Sequence, residues 1–558
     1  MPVHSPSPTA IIPAQDVVSF YFGLAQSRLN HPGSTDCPLL VDAGSNKSYN
    51  FANIKRMSTA IARGLKHRGF INEQGKHQNP DFDIDGVAIV FSPTDICMSA
   101  IHYGTLMAGG TFAAMDSTMG AMSLGNRLIY LNSSAAFVTA ELLPTLLSAC
   151  NLAGVSINKS RIFITQGDIP GYTSLVELIE ENRDLPAVLP ILSMTEERLA
   201  RKIALIVYTS GTTGNSKGVM LTHRNIVATQ MLVGGYTAHN SQVQNIAASK
   251  LPQQKVLSAL PPWHIYGISV LFYQPLATGS CIVQLPQFGL APYLAAIEKF
   301  NIKRLCATPG ILYNLIHSST RSKDGTVKIG SEPGRNFNVD SVETIVCGGA
   351  SVPPVRLSQF VAFFGGASVV IGYGATETCS IIAGSTWGEP EPGATGILYP
   401  NTCAIVIDKH GNETDGYGEL CISGPQVMLG YIGQNIKPPF VNGFYRVGDY
   451  ARVAANGCVF LRGRIVDIVH TEQGLVSPTD IENMASEHPA VKDCAAVGTK
   501  PKGATARVLL FIVLAPDVAS LADINDWIRI RAKLDIECRE IQDIPKSSGG
   551  KILRNLLR

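Results

Sequence analysis

The chain carries almost no net charge: 45 basic residues stand against 43 acidic ones, a formal balance of +2 over 558 residues. A surface without a broad field of one sign does not recruit nucleic acid or an anionic membrane face, so any bound anion must be held by local groups. Long hydrophobic runs are also missing. The longest, residues 360–373 and 508–515, are short or interrupted by Gly365 and Gly366, well below a bilayer span. Residues 1–15 contain no basic patch followed by an apolar core, so the pattern of a secretory signal is absent there. The closing Leu556, Leu557 and Arg558 do not spell an SKL-type peroxisomal address. The twelve cysteines show no CxxC spacing, which argues against zinc and for reduced structural thiols. These absences predict a soluble cytoplasmic protein with no membrane span and no nucleic-acid partner.

What is present belongs to a globular, multidomain chain. Apolar residues make up 45% and charged residues 16% of the sequence, and the length suits about three or four folding units. Apolar β-branched runs such as residues 86–91 and 368–371 are followed by helical patterns or glycine turns, which predicts α/β layers with buried strands. Residues 491–497 and 507–514 read as strands and 521–534 as a helix, a small α+β unit after about Arg464. Residues 72–85 and 318–340 are polar, with mixed charge, and read as surface loops.

Four segments carry chemistry. Residues 203–219, IALIVYTSGTTGNSKGV, run from a buried strand into a loop of Gly, Ser and Thr that ends on Lys217. Small residues let backbone N–H groups approach phosphate oxygens, hydroxyls add donors, and the lysine adds a mobile positive charge. It is not a Walker loop, since Gly218 stands where Ser or Thr would hold magnesium. Residues 371–378, IGYGATET, again follow an apolar strand: Gly372 and Gly374 free the backbone, Tyr373 offers a flat face, Thr376 a hydroxyl and Glu377 a hard oxygen for Mg²⁺. Just upstream, residues 347–350, CGGA, form a small-residue strand end able to admit a flat ring. Asp449 lies in residues 444–452, FYRVGDYAR, and Arg464 follows fifteen residues later; a carboxylate suits ribose hydroxyls and a guanidinium suits phosphate. Taken alone, that pair would equally make a structural ion pair. Residues 545–554, PKSSGGKILR, place Lys551 after two glycines, which alone reads as a basic tail.

Together, in this order, the four segments resemble the adenylate-forming superfamily of acyl-CoA synthetases, 4-coumarate-CoA ligases, firefly luciferases and peptide-synthetase adenylation domains. The resemblance extends from residues 48–51, SYNF, to Arg554. It implies a large N-terminal domain of layered α/β sheets, residues 1–465, and a small mobile α+β C-terminal domain, residues 466–558, with a hinge at Val466. It implies ATP-dependent activation of a carboxylic acid as an acyl-adenylate, followed by transfer to CoA. Carried over residue by residue, Thr209, Ser210, Gly211, Thr212, Thr213, Gly214 and Lys217 hold the triphosphate, and Gly349, Ala350, Gly372 and Tyr373 frame adenine. Thr376 touches the α-phosphate, Glu377 holds Mg²⁺, Asp449 binds ribose, Arg464 ribose or phosphate, and Lys551 bridges carboxylate and phosphate.

Residues 260–267, LPPWHIYG, lack the acid with which peptide-synthetase domains hold a substrate amine, which disfavours an amino acid. His264 and Tyr266 match the acyl-CoA synthetase form and line the acid pocket, giving an aryl or medium acyl acid as the expected substrate class. For the CoA step the family's hinge Asp or Lys is Val466 here, a neighbouring lysine is His470, Gly474 is kept, and Ser216 replaces a usual proline. These departures weaken the thioester half of the expectation. A stand-alone ligase loading a carrier protein, or a noncatalytic nucleotide-binding homologue, are the alternatives.

Overall fold

The structure is a computed structural model. It describes residues 2–7, 9–29, 37–71, 82–184, 194–209, 216–243, 253–322, 324–330, 335–385, 391–433, 438–499, 506–515, 520–546 and 551–558. Among these residues the body of the chain is built on two large sheets of eight and fifteen strands. In the smaller one, the strands Ile203–Tyr208, Thr111–Met115, Val87–Phe91, Ser133–Val138, Ile162–Ile164 and Thr173–Ser174 run parallel in that spatial order. Gly218–Thr222 and Gly430–Ile432 close its other edge antiparallel. The central strands are buried along their whole length, as continuous apolar runs covered on both faces must be.

The larger sheet has a parallel half and an antiparallel half. Leu40–Asp42, Cys281–Gln284, Lys255–Ser258, Arg304–Ala307, Thr344–Gly348 and Ser368–Tyr373 are parallel neighbours in that order. Beyond Ser368–Tyr373 the sheet turns antiparallel and reaches the paired strands Phe444–Val453 and Cys458–Arg464. Helices fill the space around these sheets. Phe51–His67, capped reciprocally by Asn50 and Asn53, buries Ile54, Met57, Ile61 and Leu65, an i, i+3, i+4 stripe.

The last part of the chain has a core of its own. Val491–Thr499, Arg507–Leu514 and Ile536–Glu540 make a three-stranded sheet. The helices Pro478–Ala485 and Leu521–Ala532 accompany it, and Ile481, Leu510, Ile524 and Ile528 are buried together. Buried Arg356, on the helix Pro354–Phe363, donates to the carbonyls of Val491 at 2.9 Å and Lys492 at 2.8 Å, which ties this unit to the body.

One expectation is corrected. Residues 318–340 are not a plain loop: Ser319–Arg321, Thr326–Ile329 and Asn336–Asn338 form a three-stranded antiparallel sheet. Val327, Ile329 and Phe337 are buried, so a short alternating apolar set outweighs the charges between which it lies. Residues 72–81 of the other expected loop are outside the described residues.

Candidate active site

The C-terminal ends of the Thr344–Gly348 and Ser368–Tyr373 strands open into a cavity of about 850 Å³. Such strand ends are where open α/β sheets bind ligands. Gly348, Gly349, Gly372, Gly374, Thr376 and Glu377 come from these strand ends and the turn after them; Lys217, His264, Tyr266, Arg464 and Lys551 join them from four other segments. The turn needs Gly374 because a Cβ there would lie 2.0 Å from the Ser380 carbonyl oxygen. No side chain survives that approach, and the tight fold-back it permits sets Thr376 and Glu377 in a short 3₁₀ turn on the wall.

At one end of the cavity the phosphate-loop hairpin closes on itself. The Thr209 amide donates to the Lys217 carbonyl at 2.9 Å, the Lys217 amide to the Thr209 hydroxyl at 3.2 Å, and the Ser216 hydroxyl to the Thr209 carbonyl at 2.6 Å. Ser210, Gly211, Thr212, Thr213 and Gly214, at the tip, lie outside the described residues. The Lys217 ammonium sits 4.9 Å above the Tyr431 ring, and the Tyr431 hydroxyl donates to Glu377 Oε1 at 2.9 Å. Lysine, aromatic ring and carboxylate thus form one linked set, within which a cation–π contact and a hydrogen bond fix where the two charges stand.

A second polar set lies beside it. Gly448, with φ of +79°, precedes Asp449, which faces Arg464 across the antiparallel strand pair. The Tyr373 hydroxyl donates to Asp449 Oδ2 at 2.7 Å and Arg464 Nε stands 3.3 Å from Oδ1. Burial pushes the Asp449 carboxyl up, against the pull of Arg464, and Asp449 in turn raises the Arg464 guanidinium. Lys551 reaches the same place from the C-terminal unit. Burial first and Arg464 second lower its ammonium, while Asp449 and Glu377 oppose that shift. His264 is held neutral down to about 4, by burial and then by Lys551.

The structure therefore brings Thr209, Lys217, Gly349, Gly372, Thr376, Glu377, Arg464, Lys551, His264 and Tyr266 to one cavity. Ala350, Tyr373 and Asp449 do not line it, although Tyr373 and Asp449 meet Arg464. His470 and Gly474 are exposed on a separate two-stranded hairpin, Val469–Thr471 with Gly474–Val476, and do not line it either. Tyr431 and Tyr445, whose hydroxyls are 3.2 Å apart, are additions that sequence motifs did not single out. Glu377 is the one candidate metal ligand proposed, and among the described residues no cluster of three or more His, Cys, Asp or Glu could hold a metal by itself. A hard ion that keeps water and phosphate oxygens in its shell fits that single carboxylate.

A hairpin with a phosphate-loop sequence, a strand-end carboxylate and a lysine from a separate unit, all facing one cavity, define an enzyme that handles a nucleotide beside a second substrate. The chain belongs to the AMP-binding enzyme family, whose model matches residues 30–432, with the AMP-binding enzyme C-terminal domain matching residues 480–551. It is 26% identical to 4-coumarate–CoA ligase-like 2 of Arabidopsis thaliana over 84% of this chain and 81% of that protein. It is 25% identical to acyl-CoA ligase cm3C of Cordyceps militaris over 100% of this chain and 89% of that one. Among solved structures, a benzoate CoA ligase from Burkholderia xenovorans shares the fold with a TM-score of 0.76 at 20% identity, over 97% of this chain and 99% of its own. ATP-bound MatB from Rhodopseudomonas palustris gives 0.78 at 20% identity, over 96% and 98%.

Proposed function

We propose that this chain activates a carboxylic acid, aryl or medium acyl, with ATP to give an acyl-adenylate and pyrophosphate, then passes the acyl group to the thiol of CoA. An AMP-forming acid–thiol ligase is what its family and its acyl-CoA ligase relatives support. The observation that carries the chemistry is Lys551: a cation from the C-terminal unit stands in the same cavity as Glu377, Arg464 and His264.

In the first step the acid carboxylate attacks the α-phosphorus of ATP, a P–O bond to the carboxylate forms, and the bond to pyrophosphate breaks. Negative charge grows on the phosphate oxygens, and cations placed beforehand stabilise it with little reorganisation. Lys551 and Arg464 are those cations, Lys217 and the Thr209 hairpin hold the leaving phosphates, and Thr376 donates at the α-phosphate. Gly349 and Gly372, on the cavity wall, frame the base, with Ala350 and Tyr373 next to them in the chain; Asp449, held by Tyr373 and Arg464 at the edge of that wall, is the acceptor for the ribose hydroxyls once the nucleotide is seated. Mg²⁺, when held by Glu377, neutralises phosphate charge. Neutral His264 and Tyr266, whose hydroxyl is tied to the Val346 carbonyl at 2.9 Å, border the acid without adding charge to it.

In the second step residues 466–558, turning at Val466, carry Lys551 out and bring His470 and Gly474 toward the CoA path. The position of Lys551 inside the cavity and of His470 outside it supports this assignment of the two steps to two arrangements. None of the twelve cysteines is in a disulfide, which supports placing the protein in the reducing cytoplasm. The test is a panel of aryl and fatty acids assayed for ATP-dependent pyrophosphate release, then for AMP release with and without CoA. Pyrophosphate release with at least one acid is expected; ATP binding with no turnover of any acid would overturn the reading in favour of a noncatalytic nucleotide-binding protein.

A further inference from the structure

The far end of the cavity holds a charge that the adenylation chemistry does not use. Arg304 lines the cavity at the start of the Arg304–Ala307 strand. Alternation along a strand puts Arg304 and Cys306 on one face. Cys306 pairs in register with Val346, Val346 with Val370, and all three also line the cavity, so Arg304 lies on the same cavity-facing surface one step deeper. Its register partner Thr344 is four residues before Gly348 at the nucleotide end. That separation is roughly 13 Å along the sheet.

The other cations of this cavity have partners. Arg446 pairs with Glu419, Arg464 with Asp449 at 3.3 Å, Lys217 lies over the Tyr431 ring, and Lys551 feels Asp449 and Glu377. Arg304 has none: among the described residues no carboxylate lies within ion-pair reach, and its buried Nε makes no hydrogen bond. Arg304 is half-buried, with only its Nε shut away from solvent; a buried N–H left without an acceptor is costly, and the planar fork of donors matches a carboxylate best. The remaining wall is largely apolar, with Ile226, Val233, Val270 and Ile381.

We infer that the acid substrate carries a second carboxylate at the end remote from the reacting one, separated from it by an apolar segment, and that Arg304 receives it. This rests on the acid-activating reading of the cavity. The reacting carboxylate sits near Lys551, the apolar segment crosses Val346 and Val370, and the second carboxylate meets the Arg304 fork.

The experiment compares matched pairs of acids of equal length, a monocarboxylate and its α,ω-dicarboxylate, plus the ω-hydroxy acid, in pyrophosphate release by the wild-type chain and by Arg304→Met and Arg304→Lys. The wild type should favour the dicarboxylate by about tenfold or more in kcat/KM, the worth of one charge-assisted pair. Arg304→Met should remove that preference through KM while keeping turnover of the monocarboxylate, and Arg304→Lys should restore part of it. Thermal shift with the dicarboxylate alone, without ATP, should be seen for the wild type and not for Arg304→Met. A wild-type preference for the monocarboxylate, a preference for the ω-hydroxy acid equal to that for the dicarboxylate, or a dicarboxylate preference unchanged in Arg304→Met would each overturn the inference. Absence of pyrophosphate with every acid would instead sink the acid-activating reading itself.

Discussion

The two ends of the cavity are built on opposite principles. At the nucleotide end, charges are many and mutually satisfied: Tyr373, Asp449 and Arg464 form one set, Lys217, Tyr431 and Glu377 another, and Lys551 enters between them. At the acid end the wall is largely apolar, His264 stays neutral, and Arg304 has no carboxylate partner among the described residues. The difference is what a two-substrate site needs. A triphosphate is the same molecule in every turnover and rewards a fixed, crowded array of donors, whereas an acid is recognised by shape and by a few polar groups whose identity defines the substrate.

The largest effect that would sharpen this comparison is expected from Lys551→Ala. Removing a pre-placed cation from the nucleotide end should slow pyrophosphate release by about 10²-fold or more, as for other lost electrostatic donors, with little change in ATP affinity. Chemically prepared acyl-AMP supplied with CoA should still give thioester in this variant. Equal loss in both assays would show that Lys551 serves the site as a structural cation rather than a transition-state one.

The acid end is tested by pH. His264 is held at about 4 against an ordinary 6.5, because burial, and then Lys551, disfavour its protonated form. Above pH 6.5 the ring is neutral in folded and unfolded chain alike and its contribution is constant. Between 6.5 and about 4 only the unfolded chain takes up the proton, so stability falls as pH falls, by about 3 kcal/mol at the lower limit. His264→Asn should flatten the stability curve across that window in urea titrations. His102, at about 3, and His223, at about 4, are buried in the same sense and will leave a residual slope in the variant. A variant curve identical to wild type would mean that His264 is solvated.

Asp449→Ala probes the neighbouring set. Loss of the ribose acceptor should weaken ATP binding by about 1 to 3 kcal/mol and leave acid binding nearly unchanged, as read by calorimetry with each substrate alone. Parallel losses for both would mean that Asp449 acts by holding Tyr373 and Arg464, and through them the whole cavity.

The same contrast explains what was legible in the sequence. The nucleotide end is written in contiguous segments, because close backbone approach to phosphate demands runs of Gly, Ser and Thr, and each run ends on a charged residue that chemistry can interpret. Away from those segments the cavity is lined by residues such as Tyr21, Gln274, Arg304 and Val370, which belong to four separate elements. Nothing in the local spacing of Arg304, inside a short apolar strand, distinguishes it from a strand-end surface arginine; only the register with Thr344 and Val346 shows which way it faces. Tyr431 was passed over for a related reason, since its value lies in touching Lys217 and Glu377 from a strand far along the chain. The parallel halves of the sheets and the C-terminal unit were legible as buried apolar runs. The small sheet at 319–338 was not, because three- and four-residue strands give too little alternation to stand out among charges.

The smallest effect is expected at His470, and it tests whether the comparison between the two ends extends to a comparison between two steps. The side chain is exposed, in register with Leu475 on its own hairpin, and touches no part of the cavity. Adenylation should therefore proceed in His470→Ala within about twofold of wild type, the usual range for a surface change remote from a site. Thioester formation places different demands on this hairpin. If the C-terminal unit turns at Val466 and brings His470 and Gly474 to the CoA path, the variant should lose one polar contact there, on the order of 1 kcal/mol or a few-fold in rate, measured by AMP release from preformed acyl-AMP as CoA is titrated. The loss should appear in the CoA KM more than in the limiting rate, since an imidazole at the path positions the thiol carrier without touching the bond that breaks. Replacement by Lys should retain the contact, because an ammonium supplies the same donor. A variant slowed equally in pyrophosphate release and in thioester formation would place His470 in the folding of the hairpin and leave the CoA path without an assigned residue on this strand.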